Sequence, residues 1–91
     1  MNSTKLLIGS LSNDLYRIAC LTQRGSLKTA SKFLQQSQRW TKELKNKKVK
    51  NYIKKIIINL SKEENHQQLD MKQAEKYLMY SILLQNYALH L

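Results

Sequence analysis

Residues able to do chemistry crowd into one window of this chain. From Arg24 to Lys55 it carries Arg24, Lys28, Lys32, Arg39, Lys42, Lys45, Lys47, Lys48, Lys50, Lys54 and Lys55 against a single acid, Glu43. Outside the window Lys5, Arg17, Lys62, Lys72 and Lys76 balance Asp14, Glu63, Glu64, Asp70 and Glu75, so the whole formal charge of +10 is local. Ammonium and guanidinium groups at this density hold an anionic surface by Coulomb attraction and by releasing its counterions. A surface shaped by solubility alone would mix the two signs. The candidate contacts are Lys28, Lys32, Arg39 and Lys42 on one helix face, with Lys45, Lys47, Lys48 and Lys50 in the segment that follows. Long lysine and glutamine side chains position well on phosphates and read base edges poorly, so binding largely without base readout is expected.

No set of residues suggests catalysis. His66 and His90 lie far apart, and neither stands at metal-ligand spacing from the other or from Cys20. Glu63 and Glu64 are adjacent carboxylates in a polar stretch, without the pocket needed to shift their pKa values. No glycine-rich phosphate loop is present. The expectation is a non-enzymatic binding module with no cofactor, no metal and no small-molecule substrate. The lone Cys20 excludes an intramolecular disulfide and is expected to be a small buried apolar residue. The apolar run Leu6 to Ile8 is too short for the core of a signal peptide, and no stretch approaches the roughly 20 apolar residues that span a bilayer. A cytoplasmic location, or the equivalent compartment of an organelle, is the expectation.

The elements that must position the cations read as helices. Two glycines and no proline leave few forced turns, and 91 residues suffice for one modest core, so a single all-α domain over residues 1–91 is predicted, a bundle of three to four helices with one strongly basic face. Leu7, Leu11, Leu15, Ile18 and Leu21 or Thr22 recur at helical spacing between Lys5 and Gln23. Gly9, Ser10, Ser12 and Asn13 invite a break near residue 10, with Ser12 as the N-cap of a shorter helix. Arg24-Gly25-Ser26 reads as a C-terminal cap glycine followed by an N-cap serine.

In the second helix Leu27, Ala30, Phe33, Leu34, Ser37, Trp40, Thr41 and Leu44 share one side, while Lys28, Lys32, Gln35, Arg39 and Lys42 share the other. Phe33 and Trp40 are therefore assigned to the core rather than to base stacking. The stripe Val49, Tyr52, Ile53, Ile56, Ile57 and Leu60 is rotated by roughly 130° from the first, which predicts a break at Lys45 to Lys48. Its spacing favours helix over strand across residues 49–60, although Ile56-Ile57-Ile58 keeps a strand open. Ser61 to Gln68 reads as a loop, and Asp70 with Gln73 opens a last helix reaching nearly to Leu91. From Tyr77 onward that helix is apolar on most sides, so it is either the central helix or half of an interface.

A local resemblance crosses the first two helices. Gly25-Ser26-Leu27, Ala30, Leu34 and Ser37-Gln38, preceded by Leu15, Ile18 and Leu21, resemble the helix-turn-helix that opens LysR-type transcription regulators. The resemblance implies a recognition helix that begins at Ser37 and turns Ser37, Gln38, Arg39 and Lys42 toward a DNA major groove. It spans about 24 residues and departs where Arg39 stands in place of the family's proline and Gln36 in place of its buried aliphatic residue. No glycine-bearing wing follows, and the apolar phase runs on through Trp40 and Leu44.

Two functions remain. One is binding of nucleic acid, DNA or RNA, through the basic face. The other is a small accessory or adaptor subunit docking on an acidic protein complex. Lys47 to Leu60, a basic amphipathic segment, suits the second, with a homodimer through Tyr77, Tyr80, Leu84 and Tyr87 as a further expectation.

Overall fold

The computed structural model describes residues 3–62 and 69–91, and among them every regular element is an α-helix: α1 (Thr4–Gln23), α2 (Leu27–Leu44), α3 (Asn51–Lys62) and α4 (Met71–Leu89). Ser3 caps α1, its hydroxyl accepting from the Leu6 N–H at 3.1 Å. α1 is continuous through residue 10, so the possible break there does not occur. Leu7, Ile8, Leu11, Leu15 and Ile18 form one buried stripe along α1, and their burial outweighs the cost of about 1 kcal/mol for a mid-helix glycine. Ser12 caps nothing; it is buried, and its hydroxyl donates to the Ser81 carbonyl of α4 at 2.7 Å.

The turn after α1 follows the sequence closely. Gly25 sits at φ +83°, where its missing side chain removes the steric penalty. The Gly25 N–H bonds the Thr22 carbonyl at 3.1 Å and the Ser26 N–H bonds that of Leu21 at 2.9 Å, the paired closure of a Schellman motif. Ser26 holds the cap position of α2, but its side chain makes no capping bond. α2 then ends at Leu44, immediately before the predicted break, with the backbone N–H groups of Lys45 and Lys47 donating backward to the Thr41 and Leu44 carbonyls.

The third segment is a helix, not a strand. Ile53, Ile56, Ile57 and Leu60 form its buried stripe, and it runs two residues into the predicted loop, with the Ser61 hydroxyl donating to the Ile57 carbonyl at 2.9 Å. The rest of that predicted loop, Glu63 to Gln68, lies outside the described residues. Asp70 caps α4, its carboxylate accepting from the Gln73 N–H at 2.9 Å. The Gln73 side chain does not complete the box: its Oε1 is buried without a hydrogen-bond partner.

α1 lies between α2 and α4 and packs closely along both, while α3 closes the bundle against α2 and α4. Buried residues from all four helices join in one cluster, with Leu21, Phe33, Trp40, Val49, Leu78 and Tyr87 packed around it. Near the α3–α4 contact the Tyr52 and Tyr87 rings meet edge to face, and the Tyr87 hydroxyl accepts from the Lys50 N–H at 3.3 Å. The radius of gyration, 12.2 Å, is the value of about 12 Å expected for a well-packed chain of this length.

Candidate polyanion-binding face

Ala30, Leu34, Ser37, Thr41 and Leu44 turn one side of α2 inward and thereby fix the outward direction of everything else on the helix. Lys28, Lys32, Arg39 and Lys42 are all exposed. Over the 18 residues of α2 this row stretches along most of a helix of about 27 Å. Glu43 is exposed as well, one turn beyond Arg39. Among the described residues, none of the four cations has an ion-pair partner.

The row has a flank that the sequence did not reveal. Between α2 and the end of α3 runs a shallow groove of about 210 Å³, lined by Gln35, Gln38, Arg39, Lys42 and Lys45, with Ser61 contributed by α3. Thr41 at its floor is buried, its hydroxyl donating back to the Ser37 carbonyl at 3.0 Å. Three cations and two amide side chains thus border one concave strip. Beyond it Lys54, Lys55 and Lys62 are exposed on α3, and Lys48 and Lys50 are exposed in the connection. Lys47 differs from the rest of the predicted set, being half-buried.

No known family, curated protein or solved structure matches the chain. The helix-turn-helix reading fails on geometry. α2 passes unbroken through Ser37 and Gln38, and Ser37 is buried with its hydroxyl donating to the Leu34 carbonyl at 2.7 Å. No recognition helix begins there. Among the described residues no cluster of His, Cys, Asp and Glu could hold a metal ion, and no helix is long and apolar enough to cross a membrane.

Neither aromatic residue of α2 is presented as a free platform. Phe33 lies beneath the Arg17 guanidinium, 5.5 Å from the ring centre, and Trp40 is tied by its indole N–H to Asp14 Oδ2 at 2.9 Å. Asp14 is the polar residue that sequence reasoning passed over. It is only 3% exposed, and the Gln36 amide donates to its two oxygens at 3.3 and 3.4 Å. Burial pushes the carboxyl above its ordinary range; the Trp40 bond, the Arg17 charge and the Gln36 bond pull the other way and do not prevail. A signal did exist: Asp14 falls in the inward arc of α1, beside Leu11, Leu15 and Ile18. Gln36, one of the two departures from the helix-turn-helix pattern, meets it together with Trp40. Cys20 is half-buried rather than buried.

The residues expected to self-associate face the wrong way for it. Tyr77 and Leu84 are 1% and 0% exposed, Tyr80 is buried, and Tyr87 is half-buried against Tyr52. α4 turns that row into its own chain. Its outward row is instead Met71, Met79, Ile82, Leu83 and Leu89, all exposed.

Proposed function

We propose that the protein is a non-enzymatic binding module that docks a polyanion on the cationic side of α2 and α3, with nucleic acid the favoured ligand. The observation that carries this reading is the groove at the α2–α3 edge. There Arg39, Lys42 and Lys45 line one concavity, and no carboxylate stands among its described lining residues. Lys28 and Lys32 extend the same charge along α2, so the contact follows a linear ligand rather than a single ion. The Arg39 guanidinium supplies directional donors, and Gln35 and Gln38 add neutral ones. Recognition therefore rests on backbone oxygens, with base identity contributing little.

Fluorescence anisotropy at two salt concentrations tests this against mixed-sequence duplex DNA, single-stranded RNA and an acidic polypeptide. If about five phosphates are neutralised, log affinity falls with log salt at a slope of roughly −4 to −5 for duplex DNA. Preference for the acidic polypeptide would transfer the face to a protein partner. Weak, salt-insensitive binding to all three would refute the reading.

A further inference from the structure

The aromatic residues divide by what covers them. Among the described residues two are exposed, Tyr16 at 55% and Tyr52 at 46%. Only Tyr52 lies inside the cationic window, between Lys50 and Lys54. Its spacing placed it in the apolar stripe of α3. Ile53, Ile56, Ile57 and Leu60 fill that role and leave Tyr52 on the flank that turns toward α4.

A pocket of about 250 Å³ opens where α3 begins and α4 ends, lined by Lys50, Tyr52, Asn86, Tyr87, His90 and Leu91. Its aromatic corner is held in place. The Tyr87 hydroxyl accepts from the Lys50 N–H at 3.3 Å, and its ring meets that of Tyr52 with centroids 6.1 Å apart and planes at 82°. An edge-to-face contact covers at most one face of the Tyr52 ring, and the other is open to a ligand. The Asn86 amide, the His90 imidazole and the Lys50 ammonium, all exposed, surround it. No acidic side chain stands among the described lining residues.

These groups specify a ligand. An open aromatic face stacks a flat π-system. The Asn86 amide can both donate and accept at the edge of that system, and Lys50 attracts an anion attached to it. A nucleobase on a phosphodiester strand carries all three features, whereas the carboxylates of an acidic polypeptide leave the ring face and the amide unused.

We infer that this pocket holds an unpaired base of the bound nucleic acid, stacked on Tyr52, which makes a single strand the preferred ligand. The inference rests on the polyanion reading of α2 and α3 and extends it. Tyr52 lies about 14 Å along α3 from Ser61 of the groove, and Lys54 and Lys55 are exposed between them. A strand whose phosphates follow these cations brings a base to the pocket mouth. Bases paired inside a blunt duplex cannot reach the ring. Phe33 and Trp40 offer no rival platform, being engaged by Arg17 and Asp14. Stacking accepts every base, so recognition stays tolerant of sequence.

Anisotropy titrations with a single-stranded RNA of about ten nucleotides and a blunt DNA duplex of equal length test this. On the single strand Tyr52→Leu should weaken binding about 5- to 150-fold, the loss expected for one stacked base. Tyr52→Phe, which keeps the ring, should bind as the wild type does. The duplex should bind all three proteins alike, with an unchanged salt slope. Circular dichroism checks the fold of each variant. If Tyr52→Leu unfolds, ultraviolet crosslinking of a bromouracil-substituted single strand to the wild type decides, with adducts expected on Tyr52 or Tyr87. The inference is overturned, with the basic face left standing, by an unchanged single-strand affinity in Tyr52→Leu, an equal loss on the duplex, a Tyr52→Phe protein as weak as Tyr52→Leu, or adducts confined to other residues. A wild-type protein that binds no nucleic acid removes both readings.

Discussion

α2 and α4 both lie along α1 and both bury one side against the shared core, yet only α2 announces its orientation. Its lysines mark the outward side beyond doubt, because an ammonium group loses far too much hydration to be buried unpaired. α4 carries no acid and no lysine from Tyr77 to Leu89, and apolar side chains stand all round it. Either row could have turned inward. The tyrosine row did, leaving Ile82 and Leu89 outside. Charge is thus a rotational marker as well as a ligand for anions, and where it is missing the phase of a helix is set only by its neighbours.

The two sides of α4 offer the largest contrast. Tyr77→Ala, which empties a site 1% exposed, should cost about 3 to 5 kcal/mol by urea denaturation. Ile82→Ala on the outer row should cost no more than about 0.5 kcal/mol. Equal costs would mean that the inner and outer rows are wrongly assigned.

The outer face of α2 should respond in binding and not in folding. Lys28, Lys32, Arg39 and Lys42 changed together to Glu should weaken duplex DNA binding at least about a hundredfold and flatten the salt slope by roughly 4. Circular dichroism should be unchanged. Lost helicity would make the row structural.

Asp14 tests the inner face of α2. Trp40→Phe removes its shortest hydrogen bond and should cost about 1.5 to 3 kcal/mol. With the carboxyl held above its ordinary range, the folded chain keeps a proton that the unfolded chain has already released. This group's contribution is full below the ordinary carboxylate range and falls as pH rises through the folded value. Asp14→Asn, whose amide oxygen can still accept from Trp40, should abolish that fall and be at least as stable as the wild type near neutral pH. A large loss there would show that the ionised bond outweighs its burial. Gly9→Ala acts in the opposite sense and should raise stability by about 0.5 to 1 kcal/mol in thermal unfolding.

The helices were legible because periodicity and the Arg24-Gly25-Ser26 turn report local physics. At Gly9 and Ser10 periodicity and propensity pointed different ways, and periodicity prevailed because the helix is held by long-range burial, which propensity does not register. Of the candidate site, the row from Lys28 to Lys42 could be read from phase alone. The groove with Ser61 could not, since it depends on where α3 lands. The Asp14–Trp40 bond likewise needed the crossing of two helices to bring together residues 26 positions apart.

The Ser12–Ser81 bond spans 69 residues of chain, and that span has a temporal meaning. A ribosome adding 5 to 20 residues per second takes roughly 3 to 14 s to make the stretch between them. Throughout that interval the stripe of α1 that α4 will cover has no lasting partner, and for its second half the lysines of α2 have already been made. Until α4 is made, α1 has only α2 to pack closely against, and the side of α1 that α4 covers stays open to solvent.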